Sequence, residues 1–293
     1  MVEGEGTLSW RQLRHEATQR LRNAFDDDRS QEARWIVERV SGYSASELMI
    51  HDDELVSVRS VAFFDELLAR REALEPLQYV LGRWSFRTLE LLVDQRALIP
   101  RPETETVAGI AIELAAAAGP GAVVVDLGTG TGAIALSIVV EVPGVQVWAT
   151  DVSAHSIAVA RANLAGLGRP ATRVRLAVGS WFDALDQELC AQIDVIVSNP
   201  PYVCTDAELG PDVLEWEPHS ALFAGHDGLD HIRIIVAEAP QWLRPGGWLV
   251  VELSPEQAPM ALELATAAGL TDVDVRTDLA GRLRALVARR PVA

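Results

Sequence analysis

Leu13, Ala17, Leu21 and Phe25 recur at four-residue steps with arginine and glutamate between them, a spacing that predicts an amphipathic helix. Asp26, Asp27 and Asp28 interrupt the pattern and read as a solvated helix end. A second helix is expected around Trp35, Ile36, Val37 and Val40, stopping at Gly42. Ser44-Ala45-Ser46-Glu47 has the form of a capping box, in which two side chains satisfy backbone N–H groups that a first helical turn leaves unpaired. Val61, Phe64, Leu67 and Leu68 mark a fourth helical stretch. Residues 1–78 therefore read as a small helical bundle, with no repeat and no glycine-rich phosphate loop.

Over 79–99 the texture changes. Leu89, Leu91 and Val93 alternate with Glu90, Leu92 and Asp94, a loose period of two that predicts a β-hairpin linker over 79–103. Pro100-Arg101-Pro102 punctuates the chain, and Glu103-Thr104-Glu105 opens an alanine-rich helix with acids placed to meet its positive end. Beyond about residue 120, β-rich runs at 123–127, 145–150, 174–178, 193–198 and 248–253 alternate with helical segments, and two weaker runs follow at 273–276 and 284–288. Parallel strands need a crossover, and a helix supplies it, so 104–293 should form an α/β domain with a mostly parallel, doubly wound sheet. Ligands on such sheets sit at the carboxyl ends of the strands.

Charge narrows the chemistry. The 293 residues carry 25 basic and 42 acidic side chains, a formal net charge of −17, and every basic one is arginine. Without lysine there is no P-loop lysine, Schiff-base lysine or lysine general base. The acidic excess argues against a protein held on bulk nucleic acid, which needs a cationic surface. Cys190 and Cys204 are too few for a disulfide framework or a four-thiolate zinc site, and the six histidines lack metal-binding spacing, so no metal is expected. Neither a signal segment nor an uncharged apolar run of roughly 18 residues is present, so a cytoplasmic protein off the membrane is expected.

The first strand of the second region runs into Asp126-Leu127-Gly128-Thr129-Gly130-Thr131-Gly132-Ala133. Glycines at a strand-to-helix turn let a ligand approach the backbone. Asp151 ends the next strand about 20 residues on, where a carboxylate can accept ribose hydroxyls. Two cofactors fit this arrangement, a nicotinamide dinucleotide or S-adenosylmethionine, and glycine spacing does not separate them.

After the fourth strand comes Asn199-Pro200-Pro201-Tyr202. Consecutive prolines fix two φ angles and remove two N–H donors, leaving outward carbonyls beside a stiffly held asparagine. Such a row suits an amide or amino NH2: the Asn199 oxygen and the Pro200 carbonyl each accept one N–H, turning the nitrogen lone pair towards an electrophile. Tyr202 offers an aromatic face to the planar group. A nicotinamide-linked oxidoreductase would leave these four residues without a role.

Together, DLGTGTGAIAL, Asp151 and SNPPY resemble class I S-adenosylmethionine-dependent methyltransferases that modify nitrogen. EPLQYVLG at 75–82, LIPRPETE at 98–105, EPHSAL at 217–222 and GHDGLD at 225–230 narrow the resemblance to the HemK/PrmC family, the peptide chain release factor glutamine methyltransferases. It covers about residue 70 onward; before that only size and position match. The resemblance implies a Rossmann-like, seven-stranded sheet and methyl transfer to the glutamine of the GGQ motif in class I release factors, giving N5-methylglutamine and S-adenosylhomocysteine. It implies a monomer acting on protein, without direct nucleic-acid contact. By position, Gly128, Thr129, Gly130, Thr131 and Gly132 would wrap the methionine part of the cofactor, Asp151 its ribose and Trp181 its adenine. Asn199, Pro200, Pro201 and Tyr202 would hold the glutamine, Asn199 also touching the cofactor, while Asp126, Arg101 and Glu103 would border the site. Glu252-Leu253-Ser254 and Leu283 depart from the family pattern. Nucleic-acid adenine N6-methyltransferases share NPPY and form the alternative, and a non-catalytic binding module is a further one.

Overall fold

A computed structural model of the chain describes residues 5–292. The chain forms two compact units. The first ends at Arg83 and also takes in Gly210–Trp216; the second runs over Trp84–Leu209 and onward from Glu217.

The first unit contains β1 (Glu5–Ser9), α1 (Trp10–Phe25), α2 (Ser30–Ser41), α3 (Ala45–His51), β2 (Leu55–Ser57), α4 (Val58–Glu72) and α5 (Leu77–Leu81). The α1 face of Trp10, Leu13, Ala17 and Leu21 is buried, as are Phe64, Leu67 and Leu68 of α4. Ser44 and Glu47 close the expected capping box at α3, and Gly42 ends α2 in the left-handed conformation. The block is not purely helical, however: β1 and β2 pair antiparallel, Glu5 opposite Ser57 and Ser9 opposite Leu55. A three-residue strand is too short to show a period of two, and its pairing partner lies far away in sequence.

From the last residue of the first unit into the second, β3 (Arg83–Phe86) and β4 (Leu89–Leu92) form the expected hairpin, with Leu91 and Val93 buried and Leu92 exposed. Next come α6 (Thr104–Ala118), β5 (Val123–Leu127), α7 (Ala133–Glu141), β6 (Gln146–Asp151), α8 (Ala154–Ala165), β7 (Val174–Val178) and β8 (Ile193–Ser198). A single turn, α9 (Pro211–Leu214), lies in the segment that belongs to the first unit. The chain ends with α10 (Asp230–Trp242), β9 (Leu243–Glu252), α11 (Ala258–Ala267), β10 (Thr271–Thr277) and β11 (Leu283–Arg289).

Seven strands form one sheet in the order β10-β11-β9-β8-β5-β6-β7; β9, β8, β5, β6 and β7 run parallel, and β11 is antiparallel to both of its neighbours, β9 and β10. β9 begins five residues before the expected start, because Arg244-Pro245-Gly246-Gly247 is absorbed where the register against β8 shifts. From β5 the chain proceeds outward to β6 and β7, then returns to the other side of β5 as β8. That reversal leaves a crevice at the carboxyl ends of β5 and β8. Ser198 Oγ donates to the Leu127 carbonyl at 2.7 Å and ties these two ends together.

Candidate active site

The crevice holds a cavity of ≈ 210 Å³. Gly128, Gly130, Asp151, Trp181, Asn199 and Pro201 are among its lining residues, from the ends of β5, β6, β7 and β8. Strand order thus brings together groups spread over about 70 positions of sequence.

The glycine loop is held from below. Asp126 is fully buried; its Oδ2 accepts from Thr129 Oγ1 at 2.6 Å and from the Ala135 N–H at 3.1 Å, in the first turn of α7. Burial pushes its carboxyl up to about 7, against those two donors, and Oδ1 has no hydrogen-bond partner among the described residues. Gly128 has φ 73°, and a Cβ there would meet the Trp181 ring at 3.4 Å. Gly132 has φ 87°, and a Cβ would come within 3.0 Å of Leu136. Both positions therefore require glycine. Thr131 is buried, and its carbonyl accepts Asn163 Nδ2.

Asp151 accepts the Gly130 N–H on Oδ2 at 2.9 Å and the Ser153 N–H on Oδ1 at 2.8 Å; burial raises its pKa despite both bonds. It joins the glycine loop to the end of β6 and keeps lone pairs for a ligand hydroxyl. Trp181 is at φ 44°, a conformation that costs a non-glycine residue of order 1 kcal/mol or more. Its ring lies 5.2 Å from that of His231. Burial lowers the His231 pKa, which favours the neutral imidazole.

Asn199 extends from the end of β8. Its Nδ2 donates to Thr104 Oγ1 at 3.1 Å, and Oδ1 has no hydrogen-bond partner among the described residues. Pro200 is buried. Tyr202 donates from its hydroxyl to Glu252 Oε1 at 3.2 Å; burial and that carboxyl raise the phenol pKa. The Tyr202 carbonyl accepts Gln257 Nε2 at 2.8 Å, and the same amide donates to the Gly228 carbonyl at 3.0 Å.

Arg101 and Glu103 do not line the cavity. Arg101 pairs with Glu217, whose side chain is 1% exposed, and Glu103 pairs with Arg282 at 2.8 Å. Thr104 and Gln257, which hold Asn199 and Tyr202, and Ser156 and His231, which line the cavity, carry no motif of their own. Thr104 is visible only as a residue of the PRPETE run, and Gln257 makes contacts 55 and 29 positions away.

The sheet order and the glycine cradle define a class I methyltransferase. The PrmC N-terminal domain family matches residues 12–82, and the Methyltransferase small domain family matches 111–214. The release factor glutamine methyltransferase of Cereibacter sphaeroides is 40% identical over 94% of this chain and 97% of its own length. That of Xylella fastidiosa strain Temecula1 is 42% identical over 83% and 87%. The T. Thermophilus 16S rRNA N2 G1207 methyltransferase, solved with AdoMet and guanosine, shares the fold at TM-score 0.50 and 20% identity, covering 71% of this chain and 49% of that one. The chain belongs to the release factor glutamine methyltransferase family.

Proposed function

We propose that this chain transfers a methyl group from S-adenosylmethionine to the side-chain amide nitrogen of the GGQ glutamine in class I peptide chain release factors. The relatives' names support the reaction, and the residues of the crevice fit the cofactor. Gly128 and Gly130 line the cavity with bare backbone, nothing lies within 4 Å of where a Gly130 Cβ would stand, Asp151 lines it with lone pairs left over, and Trp181 presents a ring to the same space. Gly128, Thr129, Gly130, Thr131 and Gly132 would hold the methionine part, Asp151 the ribose and Trp181 the adenine. S-adenosylmethionine, when bound, supplies an electrophilic methyl group on a cationic sulfur.

The chain's own residues must make a poor nucleophile attack. An amide nitrogen is weak because its lone pair is delocalised into the carbonyl. Asn199 Oδ1 and the Pro200 carbonyl each accept one N–H of the glutamine, fixing the nitrogen and stabilising the positive charge that grows on it. Tyr202 packs beside the planar group, anchored by Glu252 and Gln257. The nitrogen can shed its proton after the new bond forms, so no strong base is required. The observation that carries this reading is Asn199 at the cavity edge, with Nδ2 engaged by Thr104 and Oδ1 left over.

Residues 1–78 are assigned to substrate recognition, 79–103 to the linker and 104–293 to methyl transfer. The net charge of −17 favours a protein loop over a nucleic-acid strand as partner. Among the described residues no helix is long and apolar enough to cross a membrane. The same reading has the protein act as a monomer in the cytoplasm. Mass spectrometry of a release factor incubated with the enzyme and labelled S-adenosylmethionine tests it. Label on the GGQ glutamine nitrogen is expected, and label on DNA or RNA instead would sink it.

A further inference from the structure

An asparagine amide presents an acceptor on one side and a donor on the other, and a half-turn about χ2 exchanges them. If Asn199 is to receive an N–H, its oxygen must face the cavity. The contact from Nδ2 to Thr104 Oγ1 does not by itself enforce this, because a hydroxyl can donate as well as accept. The choice is made one residue deeper. Glu252, at the end of β9, is fully buried. It receives the Tyr202 hydroxyl on Oε1, while Oε2 is buried without a partner among the described residues. The helix that Thr104 opens, α6, packs against β9, the Thr104 hydroxyl acts on this carboxyl, and it donates to no other group among the described residues.

We propose that Thr104 and Glu252 are positioning residues that set the polarity of the Asn199 amide. With Glu252 ionised, Thr104 donates to Oε2 and can only accept from Asn199, so Oδ1 points at the substrate amide. With Glu252 protonated, the proton on Oε2 is donated to Thr104, Thr104 donates to Asn199 Oδ1, and the amide turns its NH2 into the cavity. There it opposes the N–H groups of the glutamine. The proposal rests on the methyl-transfer reading of this site.

The charged and titratable groups around Glu252 come from three directions. Tyr202 follows β8, Glu103 adjoins Thr104 at the start of α6, and Arg284 lies on β11 beside Asp278. Arg284 lowers the Glu252 pKa and Glu103 raises it, but burial dominates and carries it up to about 7. The switch therefore falls within the physiological range.

Kinetics and side-chain amide NMR of the full chain test this. Thr104→Val keeps the shape and removes the hydroxyl; it should lower kcat by about tenfold or more with KM and cofactor affinity little changed, and Thr104→Ser should restore most of the loss. Wild-type kcat should fall by about tenfold per pH unit below the Glu252 midpoint. Glu252→Gln, which offers an NH2 to Thr104 at every pH, should be slow and flat over the same range. The 15N-labelled side-chain amide of Asn199 should shift with that midpoint in the wild type and not in Glu252→Gln. Full activity in Thr104→Val, a loss that serine does not restore, or an Asn199 amide insensitive to pH would overturn the proposal. Should the wild type leave release factors unmethylated while the Asn199 amide still titrates with Glu252, the relay stands and the substrate assignment falls.

Discussion

Acidic side chains are treated in opposite ways in the first unit and around the cavity of the second. In the first unit carboxylates are matched by arginine: Glu72 with Arg20 at 2.6 Å, Asp52 with Arg14 at 2.8 Å, and Glu32 with Arg71 at 2.7 Å. Arg71 is also placed over the Phe25 ring, 4.2 Å from its centre. Around the cavity Asp126, Asp151 and Glu252 are buried or nearly so, and no arginine hydrogen-bonds to any of them among the described residues. Only N–H and O–H donors hold them, and burial raises all three pKa values. A paired charge supports a framework. An unpaired one is costly to bury and leaves its acceptor capacity for a ligand or a relay.

The largest expected effect falls on Asn199, a neutral group among these acids. Asn199→Ala should lower kcat by about 10²–10³-fold, as removal of one preorganised partner does in other sites, while cofactor affinity changes far less. Single-turnover methylation beside isothermal titration measures both; a loss confined to cofactor binding would move Asn199 out of the glutamine grip. In the first unit Arg71→Ala should destabilise by about 2–3 kcal/mol, less than a fully buried pair because Glu32 keeps some solvent contact. Urea denaturation gives the figure, and a change under about 0.5 kcal/mol would show that the pairing is not structural. Trp181→Ala should weaken S-adenosylmethionine binding by about 1–3 kcal/mol if its ring stacks on adenine. Unchanged affinity would leave Trp181 as a lid over Gly128 only.

Contacts close in sequence were readable before the structure, and those that link distant segments were not. The α3 capping box needs two residues three apart, and the glycine loop is contiguous. The strands at 123–127, 174–178 and 193–198 are short apolar runs bounded by polar turns. By contrast, β2 is three residues long, and the start of β9 passes through Pro-Gly-Gly, which by composition resembles a loop. Arg101 belongs to a legible motif, but its role depends on Glu217, 116 positions away. Thr104 and Glu252 meet Asn199 and Tyr202 only because β8 and β9 are neighbours and α6 begins beside them. No periodicity records such a meeting.

The smallest effect separates a buried unpaired acid from a paired one by pH alone. Asp126 titrates near 3.9 in an unfolded chain and at about 7 in the folded one. Between those values the unfolded state has released the proton while the folded state keeps it, so folding stability falls as pH rises and levels off above the folded midpoint. Asp126→Asn keeps the shape and removes the titration. The stability of the variant minus that of the wild type should therefore grow by about 1 kcal/mol from pH 6 to pH 7 and flatten above pH 8, whatever its absolute offset. Taking the difference cancels Asp151 and Glu252 to first order, since both chains carry them. Urea midpoints across that range provide the measurement. Parallel curves would mean that Asp126 is ionised throughout, and that the glycine loop supplies more stabilisation to its carboxylate than Thr129 and Ala135 alone account for.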